Sequence, residues 1–148
     1  MLDRRDIPYK HWSIKVGRAD PYGDGAPPPP DAYFGTIVSA VDDLTQAIGN
    51  LILTPLGSVP TQPAKGCDIA AWLDRPANVA IPNLTRTIWD ALAAWEPRIV
   101  VQDVKIEETG YSHFACKVFW RPIESVLDDL RVAEVHFASG ATPDRRAA

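Results

Sequence analysis

The sequence predicts an α+β fold in one domain, with N-terminal helices packed on a small, mainly antiparallel C-terminal sheet and an extended arm in front. Three observations carry this. Apolar residues recur at helical spacing over 43–52 and again over 84–95. From residue 98 the period shortens to two and β-branched residues take over. Ahead of both, residues 1–32 scatter aromatic and charged side chains without period and end in Pro27-Pro28-Pro29-Pro30, which suits a polyproline II spacer. The 148 residues, 46% hydrophobic and 23% charged, are enough for one core that needs no staples. The expected division is therefore an extended Pro-rich arm at 1–32, a domain at 33–138 and a flexible tail at 139–148.

Within the arm, Trp12, Ile14 and Val16 share one face of a two-residue alternation, with Ser13 and Lys15 on the other. This segment reads either as a short strand on its own domain or as an arm that orders on a neighbour. The first helix is expected at Asp42 or Asp43, where Asp43 and Gln46 stand in the positions of a capping box. Leu44, Ala47, Ile48, Leu51 and Ile52 form its buried stripe. Thr54-Pro55 stops it, because the residue before a proline is pushed out of the helical region.

Pro55, Gly57, Pro60, Pro63, Gly66, Pro76 and Pro82 leave room for only a short helical turn between them, capped by Asp68 and carrying Ile69, Trp72 and Leu73. The next helix is expected to open with Pro82 in its first turn and to run to about Trp95 on the stripe Leu84, Ile88, Ala91, Leu92 and Trp95. Pro97 closes it. Ile99, Val100, Val101, Val104 and Ile106 then mark a strand over 98–107. A turn at Glu108-Thr109-Gly110 leads into a second strand over 114–120, with Phe114, Cys116, Val118 and Trp120 on one face. A third strand over 132–137 extends the sheet.

Net charge of −4 and a pI near 5.3, with no Lys/Arg run, exclude the electrostatic footprint of nucleic-acid binding. No apolar stretch approaches the ~20 residues of a bilayer span and no apolar run follows the charged Met1 to Arg5, so a soluble chain without membrane contact or cleaved signal is expected. Cys67 and Cys116 lack C-x-x-C spacing and sit in unrelated contexts, which predicts free thiols in a reducing compartment. His11, His113, His136 and the two cysteines show no metal-ligand spacing. There is no nucleophile elbow, P-loop or dinucleotide fingerprint, so no catalytic residue, cofactor or small-molecule substrate is expected.

Glu96, Asp103, Glu107 and Glu108 lie close in sequence, and glycoside hydrolysis needs two carboxyl groups. Asp103, Lys105 and Glu107, however, alternate in sign along one strand face, as on a solvated sheet. The harder segment to set aside is Glu96-Pro97-Arg98, where a helix hands over to a strand. It is either a local ion pair at a helix end or a rigid corner whose charges recognise another subunit.

With the Leu84 to Trp95 helix before it and the valine-rich strand after it, this triplet resembles the baseplate wedge protein, or sheath initiator, family of contractile phage tails. Upstream, Asp43-Leu44-Thr45-Gln46-Ala47-Ile48 and Leu51-Ile52-Leu53-Thr54-Pro55-Leu56-Gly57 are similar to the family's opening helix and loop. Ser58-Val59 departs from the Glu-Arg usual after that glycine, and Lys65 from the aromatic common before the next one. The resemblance implies a non-enzymatic structural subunit of a virion tail baseplate, assembled in the host cytoplasm. Its partners would be baseplate wedge proteins, tail tube or hub proteins and the tail sheath protein, and related subunits serve type VI secretion and other contractile injection machines. The family has also carried a lysozyme-like label, so a peptidoglycan hydrolase with paired carboxylates is the alternative. Sheath would be recruited by strand addition, and the strand carrying Val132, Glu134 and His136 is the favoured edge. Glu96, Pro97 and Arg98, together with Trp12, Ile14 and Val16, are the other expected contact residues.

Overall fold

The change of hydrophobic period near residue 98 is where the chain turns from helix to sheet. The computed structural model describes residues 11–16, 37–123 and 130–138; the tetraproline run and the segment after Ala138 lie outside the described residues. The chain divides into two units, Met1–Ala47 and Ile48–Ala148.

In the first unit, β1 (Trp12–Ile14) pairs antiparallel with β2 (Ile37–Ser39), Trp12 opposite Ser39 and Ile14 opposite Ile37. The alternation read from the sequence is present: Trp12, Ile14 and Val16 are exposed while Ser13 and Lys15 are half-buried. The Ala40 N–H donates to the His11 carbonyl at 2.8 Å, closing the ribbon before Ala40 reverses the chain at a φ of 54°. Helix α1 (Val41–Ile52) follows at once. Its start differs from the expected capping box. Asp42 and Asp43 already lie in the first turn, where their charges favour the helix dipole, and the Gln46 carboxamide is engaged elsewhere.

The second unit takes up the end of α1, with Ile48, Leu51 and Ile52 buried. The proline-punctuated loop then closes on itself, because the Cys67 N–H donates to the Thr54 carbonyl at 2.8 Å. Gly66, at a φ of +126°, makes that closure possible; a Cβ there would stand 2.6 Å from the Thr54 oxygen. Helix α2 (Ala70–Leu73) is the expected short turn, but its N-cap is Ile69 and no side chain caps it, so Asp68 is not the cap. Helix α3 (Ala77–Trp95) begins one turn earlier than expected. Pro76 is its N-cap, and Pro82 sits inside the helix rather than in its first turn. The acceptor that Pro82 leaves unbonded is the carbonyl of Asn78, itself an exposed residue near the helix start, so the extra turn survives. Ala80, Leu84, Ile88, Ala91 and Leu92 are its buried face, and the helix packs on the first sheet strand.

That sheet is β3 (Ile99–Gly110), β4 (His113–Pro122) and β5 (Arg131–Ala138), all antiparallel in the order β3-β4-β5. Strand β3 runs three residues past its expected end. The hairpin turns at Tyr111 and Ser112 rather than at Glu108-Thr109-Gly110, with Ser112 at a φ of 55°. A bulge between Val101 and Asp103 adds one residue, and that residue keeps Ile99 and Val101 in phase with the buried Val104 and Ile106. Phe114, Cys116, Val118 and Trp120 face the core from β4, and Ala133, Val135 and Phe137 from β5. Phe114 and Phe137 stack with ring centroids 6.2 Å apart.

The two thiols are free and buried in this core. Burial, and then the charge of Asp68, pushes Cys67 up to about 12; burial, and then Cys67, does the same to Cys116. A thiol whose pKa is raised by folding contributes stability below its ordinary value near 9.0, and loses it as pH climbs from there toward 12. Urea midpoints are therefore expected to fall above pH 9, and a double serine variant should flatten that limb. Alkylation of native protein should proceed only as fast as it unfolds.

Candidate assembly surfaces

The Glu96-Pro97-Arg98 corner lies in the second unit, where α3 ends. The Glu96 N–H still donates to the Leu92 carbonyl at 3.0 Å, and the Glu96 carbonyl accepts from Ile99 at 3.4 Å, so one residue caps the helix and opens the strand. Pro97 cannot continue the helix, which fixes the bend. The Glu96 side chain is only 9% exposed, yet its two oxygens accept from Arg98 Nε at 2.5 Å and from Nη2 at 2.8 Å. This is a bidentate fork, the geometry in which a guanidinium holds a carboxylate most strongly. The Arg98 carbonyl accepts from Ile123 at 3.0 Å, which ties the corner to the end of β4. Glu96 is thus turned inward, and the groups offered outward are Pro97 and the third of Arg98 that stays exposed.

In the first unit, the Gln46 carboxamide occupies the outer edge of β1. Its Nε2 donates to the Ile14 carbonyl at 2.9 Å and to Ser13 Oγ at 3.0 Å, and its Oε1 accepts from the Val16 N–H at 2.9 Å. A carboxamide that serves a carbonyl and the N–H two residues on does what a neighbouring peptide group does in a strand ladder. Gln46 therefore pins the arm while the apolar row Trp12, Ile14 and Val16 stays displayed. Gln46→Ala is expected to speed tryptic cleavage after Lys15 at least roughly tenfold, given about 1 kcal/mol for each bond lost; an unchanged rate would show that the clamp holds nothing.

Strands β3 and β5 both end the three-stranded sheet, but they are not equivalent edges. The bulge interrupts the β3 ladder, whereas β5 pairs with β4 in unbroken register from Arg131 to Ala138. Val132, Glu134 and His136 are exposed on the outer face of β5, and His136 Nε2 lies 3.5 Å from Glu134.

The remaining carboxylates do not converge with Glu96. Asp103 accepts from the Val104 N–H at 2.8 Å and lies 3.9 Å from Lys105, and Glu107 lies 3.4 Å from Lys117, all on the solvent face. Among the described residues no group of three or more His, Cys, Asp or Glu side chains is placed to hold a metal ion, and no helix is long and apolar enough to cross a membrane. Sequence reasoning assigned Gln46 to a helix cap and so missed its role. A glutamine opposite an alternating polar and apolar arm is the signal that was present, but it takes the fold to bring the two together.

A search of curated protein sequences finds no match. Among solved structures, a Geobacter sulfurreducens protein provisionally described as a tail lysozyme superposes with a TM-score of 0.61 at 20% identity, over 68% of this chain and 92% of that one. A chain in the baseplate complex of the type VI secretion system superposes with a TM-score of 0.52 at 24% identity, over 66% and 89% of the two chains. At these identities the likeness is one of fold. The model of the baseplate wedge protein gp25 family matches residues 38–118, from β2 through the corner and into β4, which is more than half of the 148 residues, and the chain belongs to that family.

Proposed function

We propose that this chain is a non-enzymatic structural subunit of a contractile-tail baseplate that joins wedge subunits to the tail tube and hub and starts the sheath by strand addition at β5. The observation that carries it is the position of β5 at the end of the sheet, in unbroken register with β4. Such an edge offers a row of unpaired N–H and C=O groups, and an extended arm from a sheath subunit completes the ladder while its alternate side chains pack on either face. Glu134 and His136 keep the edge soluble until the arm arrives. The Glu96-Pro97-Arg98 corner and the displayed Trp12, Ile14 and Val16 meet the neighbouring baseplate subunits. The site of action is then the baseplate of a virion or of a related injection machine, after assembly in the host cytoplasm. Electron microscopy of assembled particles is expected to show a sheath segment paired along Arg131–Ala138; a bare β5 in sheathed tails would sink the proposal.

A second reading, peptidoglycan hydrolysis, draws on the likeness to the tail-lysozyme structure. The carboxylates argue against it, since an acid–nucleophile pair must face one substrate, and here Glu96 is held by Arg98 while Asp103 and Glu107 stand beside lysines. The purified protein is expected to leave a peptidoglycan suspension turbid. Clearing that disappears in Glu96→Gln or Asp103→Asn would overturn this.

A further inference from the structure

The outer edge of β1 is occupied by a side chain where a ladder would place backbone. In an antiparallel pair, successive residues turn their N–H and C=O groups alternately toward the partner strand and away from it. His11 turns toward β2, since its carbonyl accepts from the Ala40 N–H. Ser13, opposite Val38, therefore does the same, while Ile14 and Val16 point their groups away. The N–H and C=O groups of these two residues make up one edge. Gln46 takes the middle two of them, the Ile14 carbonyl at 2.9 Å and the Val16 N–H at 2.9 Å, and adds a bond to Ser13 Oγ at 3.0 Å. It leaves the Ile14 N–H and the Val16 carbonyl unused. Trp12, Ile14 and Val16, between 40% and 55% exposed, stand in a row on one face of the same edge.

We infer that this edge seats an extended segment of another baseplate subunit, and that Gln46 holds the place until that segment arrives. The inference rests on the structural reading above and gives the contact at Trp12, Ile14 and Val16 a definite form. The carboxamide itself identifies the occupant. It carries the C=O and N–H of a peptide unit and bonds the two groups that the peptide unit of a third strand would bond. A partner helix keeps its own N–H and C=O groups engaged, so it has none to offer this edge. An incoming strand displaces three side-chain bonds and can satisfy all four main-chain groups of Ile14 and Val16. Its side chains lie beside the exposed row, so the segment that fits carries apolar residues at alternate positions. A second copy of β1 is a poorer occupant, because two carboxamides would have to leave, releasing six bonds to form the same four. Until the partner comes, the plugged edge keeps an apolar ribbon from pairing with a wrong strand.

Proline at position 14 tests the main-chain bonding. It removes the Ile14 N–H, which points away from β2 and is not used by Gln46, and an edge strand tolerates proline at such a position. Ile14→Ala removes the same side chain but keeps the N–H. In the full-length free chain the two variants are expected to have similar urea midpoints. In competition with wild type, Ile14→Pro should enter assembled particles at least roughly tenfold less well than Ile14→Ala, since it loses the bond and its ring obstructs the edge. Equal incorporation would overturn the inference. If Ile14→Pro loosens the free ribbon, amide exchange on the wild-type chain decides. The Ile14 amide should exchange fast in the free protein and at least roughly tenfold more slowly in particles; equal rates would overturn the inference. A photo-cross-linking residue at position 12 should join an extended segment of a different subunit, and capture of a second copy instead would overturn it too. Each of these failures leaves the baseplate reading standing, whereas particles that lack the chain altogether would overturn both.

Discussion

Trp120→Ala is expected to cost about 3–5 kcal/mol, roughly a fifth or more of the stability of an ordinary domain. Trp120 is fully buried near the end of the central strand β4, opposite Val101 on one side and Arg131 on the other, so truncation opens a cavity on the sheet's inner face. Its indole Nε1 is buried with no hydrogen-bond partner among the described residues. An unpartnered buried N–H costs about 1–3 kcal/mol of desolvation. Trp120→Phe removes that cost along with some volume, and the two effects oppose each other. The phenylalanine variant should therefore lie within about 1.5 kcal/mol of the parent in urea unfolding, on either side. If Phe is as damaging as Ala, the volume of the indole rather than its N–H decides this position.

The corner should respond asymmetrically. Arg98→Ala leaves a carboxylate at 9% side-chain exposure without its bidentate partner, whereas Glu96→Ala leaves an arginine that is already one-third exposed and reaches water. Losing one member of a buried pair costs about 3–5 kcal/mol, and the partial exposure of Arg98 lowers this to about 2–3 kcal/mol for Arg98→Ala. Glu96→Ala should cost about 1 kcal/mol. The milder variant separates folding from assembly, since it keeps the chain folded and alters the outward presentation of Arg98. Tails are expected to fail with Glu96→Ala at a temperature where circular dichroism shows the free protein intact. Normal tails from that variant would reduce the corner to an ion pair that holds helix to strand.

Removing β5 is not a clean test of sheath recruitment. Ala133, Val135 and Phe137 are part of the core, so the deletion would unfold the sheet before any sheath could be missed. Observing the edge in assembled particles avoids this.

The helix at 84–95, the inward row Phe114, Cys116, Val118 and Trp120, and the antiparallel hairpin were legible in the sequence because their signal is local. The periods of 3.6 and 2 record which face is buried without saying against what. The corner was legible for the same reason, three consecutive residues at a change of period. Boundaries were less so. The first turn of α3 carries Ala77, Ala80 and Ile81 at helical spacing with Leu84, but Pro82, a residue favoured in a first turn, marked a later start; β3 continues past Glu107 because Glu108 and Gly110 still pair with β4, whatever their propensity.

By itself, then, the sequence determined the fold class, the order of the main elements, the inward faces and the family, all of which follow from hydrophobic period and from residues adjacent along the chain. Only the tertiary structure decided that Glu96 turns inward to Arg98, that Gln46 stands in for a strand beside Ile14 and Val16, and that a bulge interrupts the pairing of β3 with β4 while β5 pairs with β4 in unbroken register. Each of these is a pairing whose outcome depends on which groups are left without water or without a partner once the core has closed. Sequence spacing does not encode that; burial and register do.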